Sequence, residues 1–161
     1  MTPHLNDKPR IRRVVVFTGL LTVTVVAVAL SSSSATGQAP ARTSRVLSGT
    51  DTAHLHLVHS GELLLEEGPT SGSLAGHMRA ELRIGPTYTG SFAIYTSKGR
   101  ISGNGKASPH GSGRYQSFAG TLTVTSGSGL YAHVHGLDGL YGVFDRRTYA
   151  VVVTTTGRLS Y

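Results

Sequence analysis

Two residue types are missing outright from this chain of 161 residues: cysteine and tryptophan. Without cysteine there is no disulfide framework, no thiolate metal site and no lipid attachment through a lipobox cysteine. Helical periodicity is missing too. From Asp51 onward no useful window places apolar residues at i, i+3, i+4 and i+7. The serines form no G-x-S-x-G nucleophile elbow between a strand and a helix. Gly103-Asn104-Gly105 lacks the following helix and the Lys-Ser/Thr pair of a phosphate loop. Beyond residue 41 the only adjacent basic pair is Arg146-Arg147. Nucleic-acid-binding chains gather their basic residues on one face or helix, so no nucleic-acid partner is expected.

The first 41 residues read as a leader. Lys8, Arg10, Arg12 and Arg13 precede a charge-free apolar run over 14–30, and a Ser-rich stretch then ends in Ala39-Pro40-Ala41. That order of basic, apolar and small-residue regions is the pattern of a secretory signal peptide over 1–41, cleaved after Ala41. The apolar run of 17 residues is at the short limit for a membrane span, roughly 17–25 residues. Membrane contact is expected only through an uncleaved leader, and the basic flank leaves the domain outside the cytoplasm in either case. The expected location is secreted or extracytoplasmic. Removing these residues, with their four cations and Asp7, leaves 11 basic and 7 acidic residues, a net charge of +4.

What the chain does contain is alternation and glycine. Of the 120 residues after the leader, 19 are Gly, against an average near 7%. Glycine at that level suits turns, bulges and barrel bends. Residues 42–50 are polar and without period, so a flexible leader into the domain is expected there, with the domain itself over 51–161. Alternating segments follow at 52–58, 62–67, 77–84, 87–96, 100–107, 115–125, 134–144 and 148–161. The clearest is 77–84, where Met78, Ala80, Leu82 and Ile84 alternate with His77, Arg79, Glu81 and Arg83. Gly68-Pro69-Thr70-Ser71-Gly72 and 109–113 read as breaks and loops. Eight short strands in sequential hairpins predict an all-β, single eight-stranded antiparallel up-and-down barrel, a closure that removes edge strands. Such a barrel either fills with side chains or holds one small ligand.

Between the sixth and seventh strands lies Gly127-Ser128-Gly129-Leu130-Tyr131-Ala132-His133-Val134-His135-Gly136. This run resembles one in dirigent proteins and allene oxide cyclases, Gly-Gly-Thr-Gly, aromatic, Ala, Arg, Gly, between two late barrel strands. Gly127, Gly129, Tyr131 and Gly136 match its spacing. The wider stretch 121–161 looks like exported bacterial proteins with an allene-oxide-cyclase-like barrel. The resemblance implies a calycin-type barrel with an apolar interior and, as in the plant relatives, control of a ring closure or radical coupling. Their catalytic acidic residues have no match here, so no catalytic residue is assigned. Physically, the glycines let the chain reverse and the aromatic plugs one end of the barrel.

Several groups could carry chemistry. His54/His56 and His133/His135 are H-x-H pairs, and strand residues two apart share a face, so each pair could offer two imidazoles to a metal ion. His54 and His56 alternate with Ala53, Leu55 and Leu57, which places them on the solvent face. No metal or other cofactor is expected. Of Glu66 and Glu67 at most one can enter a pocket, and both are expected to cap the strand end and face water. Tyr88, Phe92, Phe118, Tyr131 and Tyr141 are the candidates to line an interior binding site. The leading expectation is an exported barrel that binds a small apolar molecule or serves as an interaction module, without turnover. One alternative is a dirigent- or cyclase-like isomerase acting by substrate positioning. Another is a small outer-membrane barrel, suggested by the alternating last strand ending on Tyr161.

Overall fold

The computed structural model describes residues 44–161; the expected leader at 1–41 lies outside the described residues. Eight strands follow one another: β1 Val46–Ser60, β2 Leu64–Gly72, β3 Gly76–Arg83, β4 Tyr88–Thr96, β5 Gly99–His110, β6 Tyr115–Gly127, β7 His135–Asp145 and β8 Val151–Ser160. Each pairs antiparallel with the next, and β1 pairs with β8 from Val46↔Ser160 to Leu55↔Val151, closing the barrel. Sequential order and closure agree with the alternation in the sequence. The agreement holds because every hairpin connection is short and every strand has one apolar face to bury.

Three boundaries run into stretches where the sequence predicts a leader, a break or a loop. β1 starts at Val46, inside the stretch expected to be a flexible leader, because those polar residues are held in register along β8. β2 runs straight through Gly68-Pro69-Thr70-Ser71-Gly72, and β5 runs through Pro109. Both prolines lie within three residues of a strand end, where one missing ladder N–H costs least. Pairing with two neighbours in a closed sheet outweighs the local turn preference.

The two ends of the barrel are built differently. At one end the β6–β7 connection folds into a single 3₁₀ turn, Gly129–Tyr131. Gly129 has φ +62°, a left-handed conformation open to glycine at little cost. The turn drives Tyr131 into the lumen, where it is buried and packs edge-on against Tyr161 with ring centroids 5.3 Å apart. Leu74 and Val134 complete this plug. The opposite end carries Tyr88, whose ring meets Phe118 and Phe144 at 5.8 Å each. There Asp145 accepts two hydrogen bonds from the Arg114 guanidinium (3.0 and 2.8 Å) and one from the Arg147 backbone, tying the β5–β6 and β7–β8 connections together.

Between the ends the lumen is filled by size matching. Several inward glycines are covered by a large neighbour. The Phe92 ring lies where a side chain on Gly103 would project, Phe118 does the same over Gly142, and Leu159 over Gly136. Alternation of small and large inward residues is how a narrow barrel packs without voids. Ile101, with no exposed surface, belongs to this packing near the start of β5. Replacing it by alanine is expected to cost about 2–5 kcal/mol, read as a lower urea midpoint with an unchanged denaturant slope.

Candidate functional site

The size matching is least complete at one place. Gly90 on β4 and Gly105 on β5 are registered partners, and both occupy inward positions. Gly90 is closely covered by Leu82 and by the Glu81 carbonyl. A side chain on Gly105 would meet nothing nearer than Leu140 at 3.7 Å. The unfilled space is a cavity of about 70 Å³ walled by Leu82, Tyr88, Phe92, Phe118, Leu140 and Phe144, among others. It runs toward the end opposite the Tyr131 plug, where Ile84 on its wall is 38% exposed. The wall is almost wholly apolar, so the cavity attracts hydrocarbon rather than water. Tyr88 is the exception in kind. Its hydroxyl donates to Gln116 Oε1 at 2.5 Å, and burial pushes its pKa up.

The aromatic residues selected from the sequence divide accordingly. Tyr88, Phe92 and Phe118 stand together in the cavity wall. Tyr131 is buried but belongs to the plug at the other end. Tyr141 is 54% exposed on the outer face of β7, because it alternates with the inward Gly142 and Leu140, and it lines no part of the interior. Among the described residues the histidines are all exposed. His54 and His56 share the outer face of β1, His133 lies in the connection after the 3₁₀ turn, and His135 opens β7 with Nδ1 3.1 Å from the His133 carbonyl. Among the described residues no group of three or more His, Asp and Glu side chains could hold a metal ion.

A carboxylate that the sequence reading places in water turns out to be the most enclosed polar group in the barrel. Glu66 points inward between Leu64 and Gly68, with Leu57 and Ala80 as its registered neighbours, and has no exposed surface. Neither carboxyl oxygen has a hydrogen-bond partner among the described residues. Desolvation pushes its pKa up to about 8, so at neutral pH it is a neutral acid. Glu67, one residue on, faces out as expected, with His77 at 3.8 Å and Arg79 at 3.5 Å. The sequence did hold the signal: Glu66 falls in the inward series Leu64, Glu66, Gly68, Thr70 once β2 is allowed to run through Pro69. Ending the strand at Glu67 hides that phase.

Two further inward carboxylates also escape the sequence reading. Asp51 and Asp138 lie toward the plugged end, around a second, smaller space of about 20 Å³. Counting back by twos from Ala53 and from Leu140 finds both.

Comparison of the chain with known protein families, with curated proteins and with solved structures returns no match.

Glu66 makes stability depend on pH. Between the ordinary carboxyl value of 4.5 and the folded value of about 8, the unfolded chain releases a proton that the barrel retains. Stability therefore falls as pH rises through that window and levels off above it. The expected loss is on the order of 3–5 kcal/mol. Denaturant unfolding at pH 4.5, 6 and 8.5 should show this decline in the unaltered chain and a much flatter profile in Glu66→Gln, with the variant the more stable at pH 8.5.

Proposed function

We propose that this chain is an extracytoplasmic binding protein whose barrel takes a small apolar molecule, or the apolar end of a larger one, into the cavity beside Gly105. That cavity carries the reading. It is the place where the inward small-large pattern is left incomplete, and its wall is hydrocarbon and aromatic. At about 70 Å³ it is well below the roughly 300–1,000 Å³ of drug-sized sites. The occupant is therefore a compact ring or short chain, with any polar remainder left at the end of the barrel near Ile84. The polar outer face of β3, where His77, Arg79, Glu81 and Arg83 alternate with the buried interior set, supports an aqueous setting over a lipid one. The basic and apolar order of the leader supports export.

A second reading is favoured by one observation, the enclosed acid Glu66. A neutral carboxyl inside an apolar barrel is a hydrogen-bond and proton donor held at a cost to stability, and such groups concentrate where chemistry is done. In this reading the barrel is an isomerase or cyclase related to the dirigent and allene oxide cyclase proteins. It would hold a substrate in one conformation, with Glu66 lending a proton and taking one back once the wall between β1 and β3, where it is packed outside both interior spaces, opens to the cavity.

Gly105→Val separates these ideas from a barrel that is merely loosely packed. The added side chain has ordinary contacts and enters the empty space, so the fold is expected to survive with equal or higher stability. Titration of the unaltered chain with benzene as a probe should shift the backbone amide resonances of Leu82, Phe118 and Leu140, and Gly105→Val should abolish those shifts. No shift in the unaltered chain would sink the binding reading. Mass spectrometry of compounds before and after incubation with the protein tests turnover, which the second reading requires to vanish in Glu66→Gln.

A further inference from the structure

The smaller interior space shares Met78, Phe92, Leu122 and Val153 with the apolar cavity but adds polar side chains. It is bounded by Asp51, Asp138, Thr70 and Thr155, with Leu74 and Ile101 among the apolar residues around them. Strand phase puts all four polar residues on the inward face: Asp51 two before Ala53, Asp138 two before Leu140, Thr70 two after Gly68, Thr155 two after Val153. Register brings them together across the closing seam. Asp51 is opposite Thr155 on one side of β8, and Asp138 is opposite Gly157 on its other side.

Both carboxylates have space made for them. Asp51 is also opposite Gly72 and Asp138 opposite Gly157. A side chain at Gly72 would lie 2.6 Å from Asp51 Oδ1, and one at Gly157 would overlap the Asp138 carboxylate. Asp51 Oδ1 is held by the Leu74 backbone N–H at 2.6 Å. Thr70 Oγ1 donates its proton to the Leu74 carbonyl at 2.8 Å, which leaves its lone pairs free. Asp138 is only 8% exposed, and its Oδ1 is buried with no hydrogen-bond partner among the described residues. An enclosed, unpartnered carboxylate oxygen aimed at a space shared with a second carboxylate calls for a cation.

We propose that Asp51, Asp138, Thr70 and Thr155 form a buried calcium site that clamps the β1–β8–β7 seam of the barrel. The donor set is all oxygen, the preference of a hard cation, and two carboxylates balance one divalent charge. A space of about 20 Å³ admits one occupant of water size, with little room for a hydration shell. That selects calcium over magnesium, which keeps several of its waters and demands a strict octahedron. The four donors line no part of the larger cavity.

The test is thermal unfolding of the purified protein after dialysis against a chelator, then with calcium, with magnesium, and with sodium chloride at matched ionic strength. Millimolar calcium should raise the melting temperature by about 5 °C, magnesium and sodium should give little, and Asp138→Asn should lose the calcium response. Equilibrium dialysis should find one calcium per chain. Thr155→Val, which keeps both carboxylates, should weaken binding about tenfold, the effect of roughly 1.4 kcal/mol. That variant carries the test should Asp138→Asn not fold. No response to calcium, an equal response to magnesium or sodium, a response retained in Asp138→Asn, or a stoichiometry other than one overturns the proposal. So does a chelator-treated Asp138→Asn that melts higher than the parent while calcium does nothing, the result expected of two carboxyls sharing a proton.

Discussion

Closing a sheet of eight strands leaves a lumen only about as wide as the side chains that point into it, and the rest of this molecule follows from that limit. Each inward position must suit its cross-strand neighbour in volume. The glycine excess is the means. Phe92 over Gly103, Phe118 over Gly142 and Leu159 over Gly136 are large residues that fit because a small one faces them. A lumen packed this closely makes every departure meaningful, since spare volume forfeits dispersion contacts and an unpaired polar atom forfeits hydration. The space beside Gly105 and the carboxyls of Glu66 and Asp138 are such departures.

The interior is divided along its axis. Toward the Tyr131 plug it is polar in patches, with Asp51, Asp138 and two threonines. Toward the other end it is hydrocarbon and aromatic. Glu66 belongs to neither space. It is packed in the wall between β1 and β3, where a charged carboxylate would be severely destabilising and a neutral one is tolerated. Its protonation couples the solvent's pH to the packing of the whole barrel, although the group itself touches no water.

Most of the architecture was legible in the chain because antiparallel strands with one buried face write their phase directly into the sequence. Met78, Ala80 and Leu82 against His77, Arg79 and Glu81 is the plainest example, and strand number and order followed from it. What was not legible depended on knowing where a strand ends. Gly68-Pro69 looks like a stop in isolation, and only pairing on both sides of β2 carries the chain through it. That single boundary hid the phase of Glu66. The polar start at Val46 likewise shows no period of its own and is organised by β8. Tyr141 was misplaced for a related reason: the glycines of β7 blur its alternation, so an aromatic on the outer face resembled one on the inner. The histidine pairs drew attention by composition, yet among the described residues no third His, Asp or Glu side chain joins either pair. The aspartates that do converge were inconspicuous, because they stand 87 positions apart and meet only when the barrel closes.

The pairing of β1 with β8 has a kinetic consequence. Every other seam in the barrel joins segments adjacent in the chain and can form as a local hairpin, whereas this one joins residues about as far apart as the domain allows. Until β8 is in place, the other seven strands form a curled ribbon with two open edges and an unsealed lumen. Loop closure over the whole domain must come before the contacts that reward it, a topology that slows folding. Closure of that seam is also what brings Asp51 and Asp138 to opposite sides of the same strand.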